Sequence, residues 1–278
     1  MTGDHDISPL TRIVARVDRT GEGQVDPELV PTNFPSIDRL FGGGFRRGDL
    51  IVLGGDDSAG SSALALAVAL RSASRALILS SEMQPERIYE RALAMSARVS
   101  VEHMRLGAVD EAERTRLAAA ALSLRDRAPV VEMLLDGGIA AIERAVEATA
   151  GAALVIIDTL EGTLQRDHGQ ADALGFAVLA LKRLALARQI AVLVTAHLPA
   201  LDRSRADRRP RLADFGLGGA VGMHADVVLG LFREEMYEFD RGVSGAAELL
   251  VLKNRGGARN YVDLYFDARF GRFEDVAE

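Results

Sequence analysis

The 278-residue chain contains no cysteine, which excludes disulfides, cysteine-ligated zinc and thiol catalysis. That absence fits a reducing, cytoplasmic setting. No run of about 18 uncharged apolar residues occurs, so no membrane span is expected. The segment from Met1 to Pro9 is polar and acidic and lacks the apolar centre of a secretory signal. Excess positive charge is also missing: the formal net charge is −7, so any nucleic-acid contact must come from a local basic patch. The histidines at 5, 103, 168, 197 and 224 show no metal-ligand spacing, which argues against a metal cluster. No repeat of solenoid length is present. What the chain does have is 48% hydrophobic residues, enough to bury the core of one large domain with a short appendage.

Two parts are legible. Residues 1–30 are mostly polar, with Leu10, Ile13, Val14 and Val17 at the spacing of a short amphipathic helix. Ser8 and Pro9 supply its cap and first turn, and Gly21 to Pro31 reads as a linker. So short a helix needs a partner for its apolar stripe, either its own domain or a neighbouring subunit. From residue 31 to 278 apolar runs alternate with helical patterns. Asp49–Gly54, Ala76–Ser80, Val130–Leu134, Leu154–Asp158 and Ile190–Thr195 read as buried strands. Ser62–Ser72, Gln84–Ala97, Gly138–Ala150 and Asp172–Arg188 read as the helices between them. This predicts an α/β fold, a mostly parallel twisted sheet flanked by helices. Val227–Phe232, Ala246–Lys253 and Tyr261–Phe266 follow with no helix between, predicting an antiparallel C-terminal extension.

One absence bears directly on chemistry. Gly55-Asp-Asp-Ser-Ala-Gly-Ser-Ser62 matches the phosphate-binding pattern G-x-x-x-x-G-K-[ST] at Gly55, Gly60 and Ser62, but Ser61 stands where the lysine belongs. Such a loop aims backbone N–H groups at phosphates, with lysine on the β/γ-phosphates and the final hydroxyl on Mg²⁺. Gly55, Ser58, Gly60, Ser61 and Ser62 are therefore candidate phosphate-binding residues, in a loop that also carries Asp56 and Asp57. Asp158 ends an apolar strand, where a carboxylate can serve Mg²⁺ with Ser62 or cap a helix. Glu82 follows the second strand and can act as a general base or complement a helix dipole. His197 ends another strand, as a phosphate sensor or a structural histidine. Arg203, Arg205, Arg208 and Arg209 lie in a tract that can contact a nucleic-acid phosphate backbone or stand as a solvated loop. Lys253 and Arg255, two residues apart, can reach together toward an anion as a finger does.

In order and spacing these segments resemble the C-terminal motor domain of DnaB-type replicative helicases, a branch of the RecA-like P-loop ATPases. The resemblance runs from Pro31-Thr-Asn-Phe-Pro-Ser-Ile-Asp-Arg-Leu-Phe-Gly-Gly-Gly-Phe45 through Ser81-Glu-Met83, Leu154–Asp158, Arg209-Pro-Arg-Leu-Ala-Asp214 and Ala225-Asp-Val-Val-Leu-Gly-Leu-Phe-Arg-Glu-Glu235 to Lys253-Asn-Arg-Gly256. It implies Glu82 as catalytic carboxylate, Asp158 as the magnesium-associated one, and Lys253 with Arg255 acting on a neighbour's γ-phosphate. It implies a hexameric ring of identical chains in which residues 8–20 dock on the adjacent protomer, with single-stranded DNA and replication proteins as partners. A counterpart of the family's separate N-terminal domain is not expected. Recombination or circadian-clock ATPases are the more distant reading, disfavoured by Ser81–Met83 and Lys253–Arg255.

The departures fall on ligand-touching positions. Asp56 and Ser61 replace the family's arginine and lysine, His197 a glutamine, and Thr159 and Glu161 an aromatic and a glutamine. Phe215-Gly-Leu-Gly218 replaces a polar Arg-Glu-Ser stretch tied to DNA contact. Two unit charges about 4 Å apart interact by roughly 4 kcal/mol at an effective dielectric near 20. Losing the cation and adding carboxylates therefore implies weak or absent ATP turnover unless Arg71, or Arg255 from a neighbour, compensates. Two functions follow: a helicase or translocase motor with an unusual loop, or a non-hydrolysing paralogue serving assembly or regulation in DNA replication.

Overall fold

The computed structural model describes residues 8–135, 138–163, 170–216, 219–237 and 243–276. In chain order the elements are α1 (Pro9–Gly21), β1 (Leu29–Val30), α2 (Pro35–Leu40), β2 (Phe45–Arg46), β3 (Leu50–Gly55), α3 (Ser61–Arg71), β4 (Ala76–Ser80) and α4 (Pro85–Ala97). They continue as α5 (Val101–Leu106), α6 (Glu111–Leu124), β5 (Val130–Met133), α7 (Ile139–Ala148), β6 (Leu154–Asp158), α8 (Gln170–Arg188) and β7 (Ala191–Ala196). The chain ends with α9 (Ala220–His224), β8 (Val227–Phe232), β9 (Ala246–Asn254), β10 (Tyr261–Asp267) and β11 (Arg272–Asp275).

A single large sheet runs β11-β10-β9-β8-β3-β7-β6-β4-β5. The strands from β8 to β5 are parallel, and every residue of β3, β4, β6, β7 and β8 is buried. Helices on both faces explain why these strands read as continuous apolar runs rather than alternating ones. Successive residues serve opposite layers: Ile51 and Leu53 pack on the face carrying α3, whereas Leu50 and Val52 join α8 on the other. Each such leucine or isoleucine, taken fully from water, contributes about 1.5–3 kcal/mol. The expected strands from β3 to β7 are all present, β4 and β6 with the expected ends and the others with ends shifted by a residue.

One expectation is corrected. Val227–Phe232 is not part of the antiparallel extension: β8 lies parallel to β3, Ile51 opposite Val227, and the antiparallel pairing starts only between β8 and β9. The helices α5 and α6 fill a stretch that carried no periodic signal, since Ala-rich α6 buries only Ala120 and Leu124. Its start was nevertheless written in the sequence. Asp110 accepts from Glu113 N at 2.7 Å while the Glu113 carboxylate accepts from Asp110 N at 3.1 Å, a capping box worth about 1 kcal/mol.

Helix α1 forms as expected, capped by Ser8 Oγ accepting from Leu10 N at 3.3 Å. Its apolar stripe does not pack on its own domain: Leu10, Ile13, Val14 and Val17 are all exposed. Arg16 ties the helix back through Asp26, at 3.5 Å, and Glu28. Residues 1–7 of the expected linker segment lie outside the described residues. Among the described residues no helix is long and apolar enough to cross a membrane.

Candidate nucleotide site

Parallel strands send their following loops to one edge, so the turns after β3, β4, β6 and β7 converge there. The β3–α3 turn is the Gly55–Ser62 loop. Gly60 adopts φ +105°, and a Cβ there would stand 3.1 Å from the Phe273 ring, so only glycine fits. A Cβ on Gly55 would meet Ser61 Oγ at 3.0 Å, which places the serine hydroxyl back over the start of its own loop. A lysine side chain would instead have the length to leave the loop. Above it opens a cleft of about 1000 Å³, lined by Asp56, Asp57, Ser58, Glu82 and His197 on one side and by α4 and α5 on the other.

At the floor, Ser62 Oγ donates to Asp158 Oδ1 at 2.8 Å, and buried Thr195 Oγ1 donates to the same oxygen at 2.5 Å. These hard oxygen donors suit Mg²⁺, which keeps waters and phosphate oxygens among its ligands rather than demanding a protein cage. Among the described residues, no group of three or more His, Cys, Asp or Glu forms such a cage. Glu82 and His197 meet at the rim, His197 Nε2 lying 3.7 Å from Glu82 Oε1 and Nδ1 3.8 Å from Asp57 Oδ1. Glu161 Oε1 accepts from His197 N at 3.1 Å, and its buried Oε2 has no partner among the described residues.

Of the acidic pair in the loop, only Asp56 is less exposed to incoming phosphate than the sequence implies. The Asp56 side chain is 9% exposed, against 78% for Asp57. Arg203 Nε reaches both Asp56 oxygens at 3.1 and 3.2 Å, Arg203 Nη2 adds a further contact, and Tyr237 OH donates to Oδ2 at 2.7 Å. Burial raises the Asp56 carboxyl, but the bonds from Arg203 and Tyr237 outweigh it and hold it below the usual carboxylate value. Tyr237 is pushed the other way, first by burial and then by Asp56. Its ring stacks on Phe232 at 5.7 Å and carries Arg208 at 4.9 Å. This clamp joins the long loop after β7 to the phosphate loop, a pairing across 147 positions with no local signal.

The arginine tract is therefore not a free solvated loop. Arg205 grips buried Asp214 with two bonds of 2.8 and 2.6 Å, Arg209 pairs with Glu248 at 2.5 Å, and Arg208 Nε donates to Arg203 O at 2.9 Å. Phe215 is core: it packs so tightly on Gly54 that a Cβ there would lie 2.6 Å from its ring. Leu217 and Gly218 of the neutral stretch lie outside the described residues. Arg71 cannot supply the missing cation. It ends α3, about 15 Å along from the loop, and is spent on the Phe34 ring at 4.0 Å and on Phe273 O at 3.2 Å. Arg91 on α4, which sequence reasoning did not single out, lines both the cleft and the small pocket beside Ser62 and Asp158.

Lys253 and Arg255 sit at the opposite edge of the sheet, because β9 runs antiparallel to β8. They do come together, but around the start of β8: Lys253 Nζ donates to Gly222 O at 2.8 Å and Ala225 O at 2.5 Å, and Arg255 pairs with Asp226 at 3.1 Å. Burial and neighbouring Arg255 lower the Lys253 pKa, against the pull of Asp226. From that edge neither cation reaches its own chain's loop.

Comparison with known proteins agrees with this geometry. The family model described as DnaB-like helicase C terminal domain matches residues 30–275. Replicative DNA helicase DnaB of Leifsonia xyli subsp. xyli is 32% identical over 257 residues, covering 89% of this chain and 56% of that protein. DnaB of Pasteurella multocida is 30% identical over 265 residues, with 90% and 56% covered. The chain thus spans about half the length of these curated relatives. Among solved structures, a DnaB-like replicative helicase studied for its interactions with primase superposes with TM-score 0.87 at 20% identity, covering 100% of this chain and 69% of that one. A second solved structure, an ATPase domain, gives 0.86 at 20% identity, covering 98% of this chain and 100% of that one. RadB recombinase, a more distant likeness, gives 0.56 at 19% identity, covering 90% of this chain and 100% of that one. The chain carries the RecA-like fold and belongs to the DnaB-like helicase C-terminal domain family.

Proposed function

We propose that this chain is a DnaB-like helicase motor domain that retains the nucleotide site's architecture but turns ATP over weakly or not at all. One observation carries the reading: Ser61 occupies the lysine position with its hydroxyl folded over Gly55, while exposed Asp57 and Glu82 face the cleft. Amides can still cradle a phosphate, and Ser62 with Asp158 can hold Mg²⁺ delivered with it. Glu82 would polarise an attacking water, with His197 beside it as the phosphate-sensing group. What the loop lacks is the fixed positive charge that stabilises charge spreading over the transferred phosphoryl group.

The assembly reading rests on separate observations. The exposed stripe of α1 asks for a covering surface, and Lys253 with Arg255 stand at the sheet edge away from their own loop, where a neighbouring subunit's loop would meet them. These features support a ring-type homo-oligomer, a hexamer in the family pattern, in which the domain serves DNA replication through contacts with replication proteins. Single-stranded DNA contact by Arg203, Arg205, Arg208 and Arg209 would compete with the internal pairs those side chains already make. Magnesium-dependent ATP hydrolysis measured with and without single-stranded DNA tests the proposal. Turnover at or below that of Asp158→Ala is the expected result, and DNA-stimulated turnover abolished by Asp158→Ala would refute it.

A further inference from the structure

We infer that Asp57 is a tethered anion beside the phosphate loop, and that a polyphosphate enters by displacing its carboxylate from Arg203 and His197. The inference rests on the nucleotide-site reading above and adds Arg203 as the phosphate-binding cation. Three observations carry it. Asp56 and Asp57 are adjacent yet treated differently: Asp56 is enclosed by Arg203 and Tyr237, while the Asp57 side chain stands 78% exposed on the cleft wall. Asp57 is flanked on one side by Arg203 Nη2, 3.2 Å from Oδ2, and on the other by His197 Nδ1, 3.8 Å from Oδ1. Arg203 is fixed by its bidentate grip on Asp56, so its charge stays beside the phosphate loop whether or not Asp57 remains with it.

The physical consequence is an exchange of anions. Asp56 cancels much of the Arg203 charge, and Asp57, which does line the cleft, accepts from Arg203 Nη2. A carboxylate held on the chain is a permanent competitor with high effective concentration, whereas a polyphosphate carries more charge and more acceptor oxygens and can bridge Arg203 to the amides of Gly60–Ser62. The exchange moves only the Asp57 side chain, which already stands largely in solvent.

The test is calorimetric titration of the whole chain with inorganic pyrophosphate and Mg²⁺, in the native sequence and in a Ser61→Lys background where binding is easily measured. Asp57→Asn should tighten binding about fivefold, the scale of one exposed ion pair. In an Arg203→Gln background that gain should vanish, because the guanidinium that Asp57 occupies is gone. A similar gain in both backgrounds would show that Asp57 only repels the ligand and would overturn the inference, as would no gain in either. Arg203→Lys, which keeps the charge, should retain most of the gain, and its melting temperature checks that the loop is intact. If Ser61→Lys itself fails to bind pyrophosphate, the nucleotide-site reading falls and the inference with it.

Discussion

Replacing Arg205 with alanine should destabilise the domain strongly, although the residue lies in a charged surface tract. Its guanidinium makes two bonds to Asp214, whose side chain is 5% exposed, and two more to Arg209 O at 2.6 Å and Asp207 O at 2.8 Å. Truncation leaves the Asp214 carboxylate with the Arg211 N–H at 2.8 Å as its one remaining donor among the described residues. Breaking a buried pair from one side costs about 3 kcal/mol or more, because the surviving charge is neither hydrated nor matched. At 2–4 °C per kcal/mol for a large domain, that is a fall in melting temperature of about 6–12 °C. Arg203 is the control: it lies in the same tract, its side chain is 57% exposed, and Asp56 keeps Tyr237 when it goes. Arg203→Ala should stay within about 2 °C of native. Thermal melts followed by circular dichroism decide the matter. Equal melting of Arg205→Ala and the native chain, or equal losses from both variants, would refute the division into anchoring and rim arginines.

Other consequences follow from particular side chains. Burial and the nearby Asp226 raise the Asp49 carboxyl above its ordinary 3.8, despite Lys182 at 3.8 Å. A raised folded value means that Asp49 adds stability in acid and loses it as pH rises through that value. Asp49→Asn should therefore flatten the melting profile above pH 4 and raise the neutral melting temperature by roughly 1–2 °C; a lower neutral value would contradict this. Asp56 has the opposite sign: its depressed value gives stability that is present above the ordinary carboxylate range and lost as pH falls through the folded one, so Tyr237→Phe, which removes one of the bonds that depress it, should lower the neutral melting temperature and make its fall toward low pH shallower than in the native chain. Val14→Asp with Val17→Asp should leave the melting temperature of dilute protein unchanged, since both side chains are exposed, yet shift sedimentation toward monomer. Unchanged oligomer size would remove α1 as an assembly element.

How much of this was written in the sequence differs by element. The strands at the sheet's centre announced themselves because both faces are covered, which leaves continuous apolar runs such as Leu154–Ile157. The same continuity hid direction, so β8 could not be recognised as parallel to β3 until its neighbours were known. Helix α6 escaped because its alanines and charges draw no apolar stripe, although the Asp110–Glu113 box marked its start. At the site, the loop and the missing lysine were plain from spacing alone. The Asp56–Arg203–Tyr237 clamp was not, since its members lie far apart in sequence and Arg203 looks no different from Arg205 as letters. What separates those two arginines is their own burial, 57% exposed for Arg203 against 15% for Arg205, a property of tertiary packing.

On the proposed reading the nucleotide loop is intact in shape and deficient only in charge. Calorimetric titration of Mg²⁺·ATP into the native chain and Ser61→Lys, side by side, tests this most directly. Micromolar or tighter binding by Ser61→Lys with weak or unmeasurable binding by the native chain is the predicted result. Tight binding by the native chain, or none by either, would contradict it.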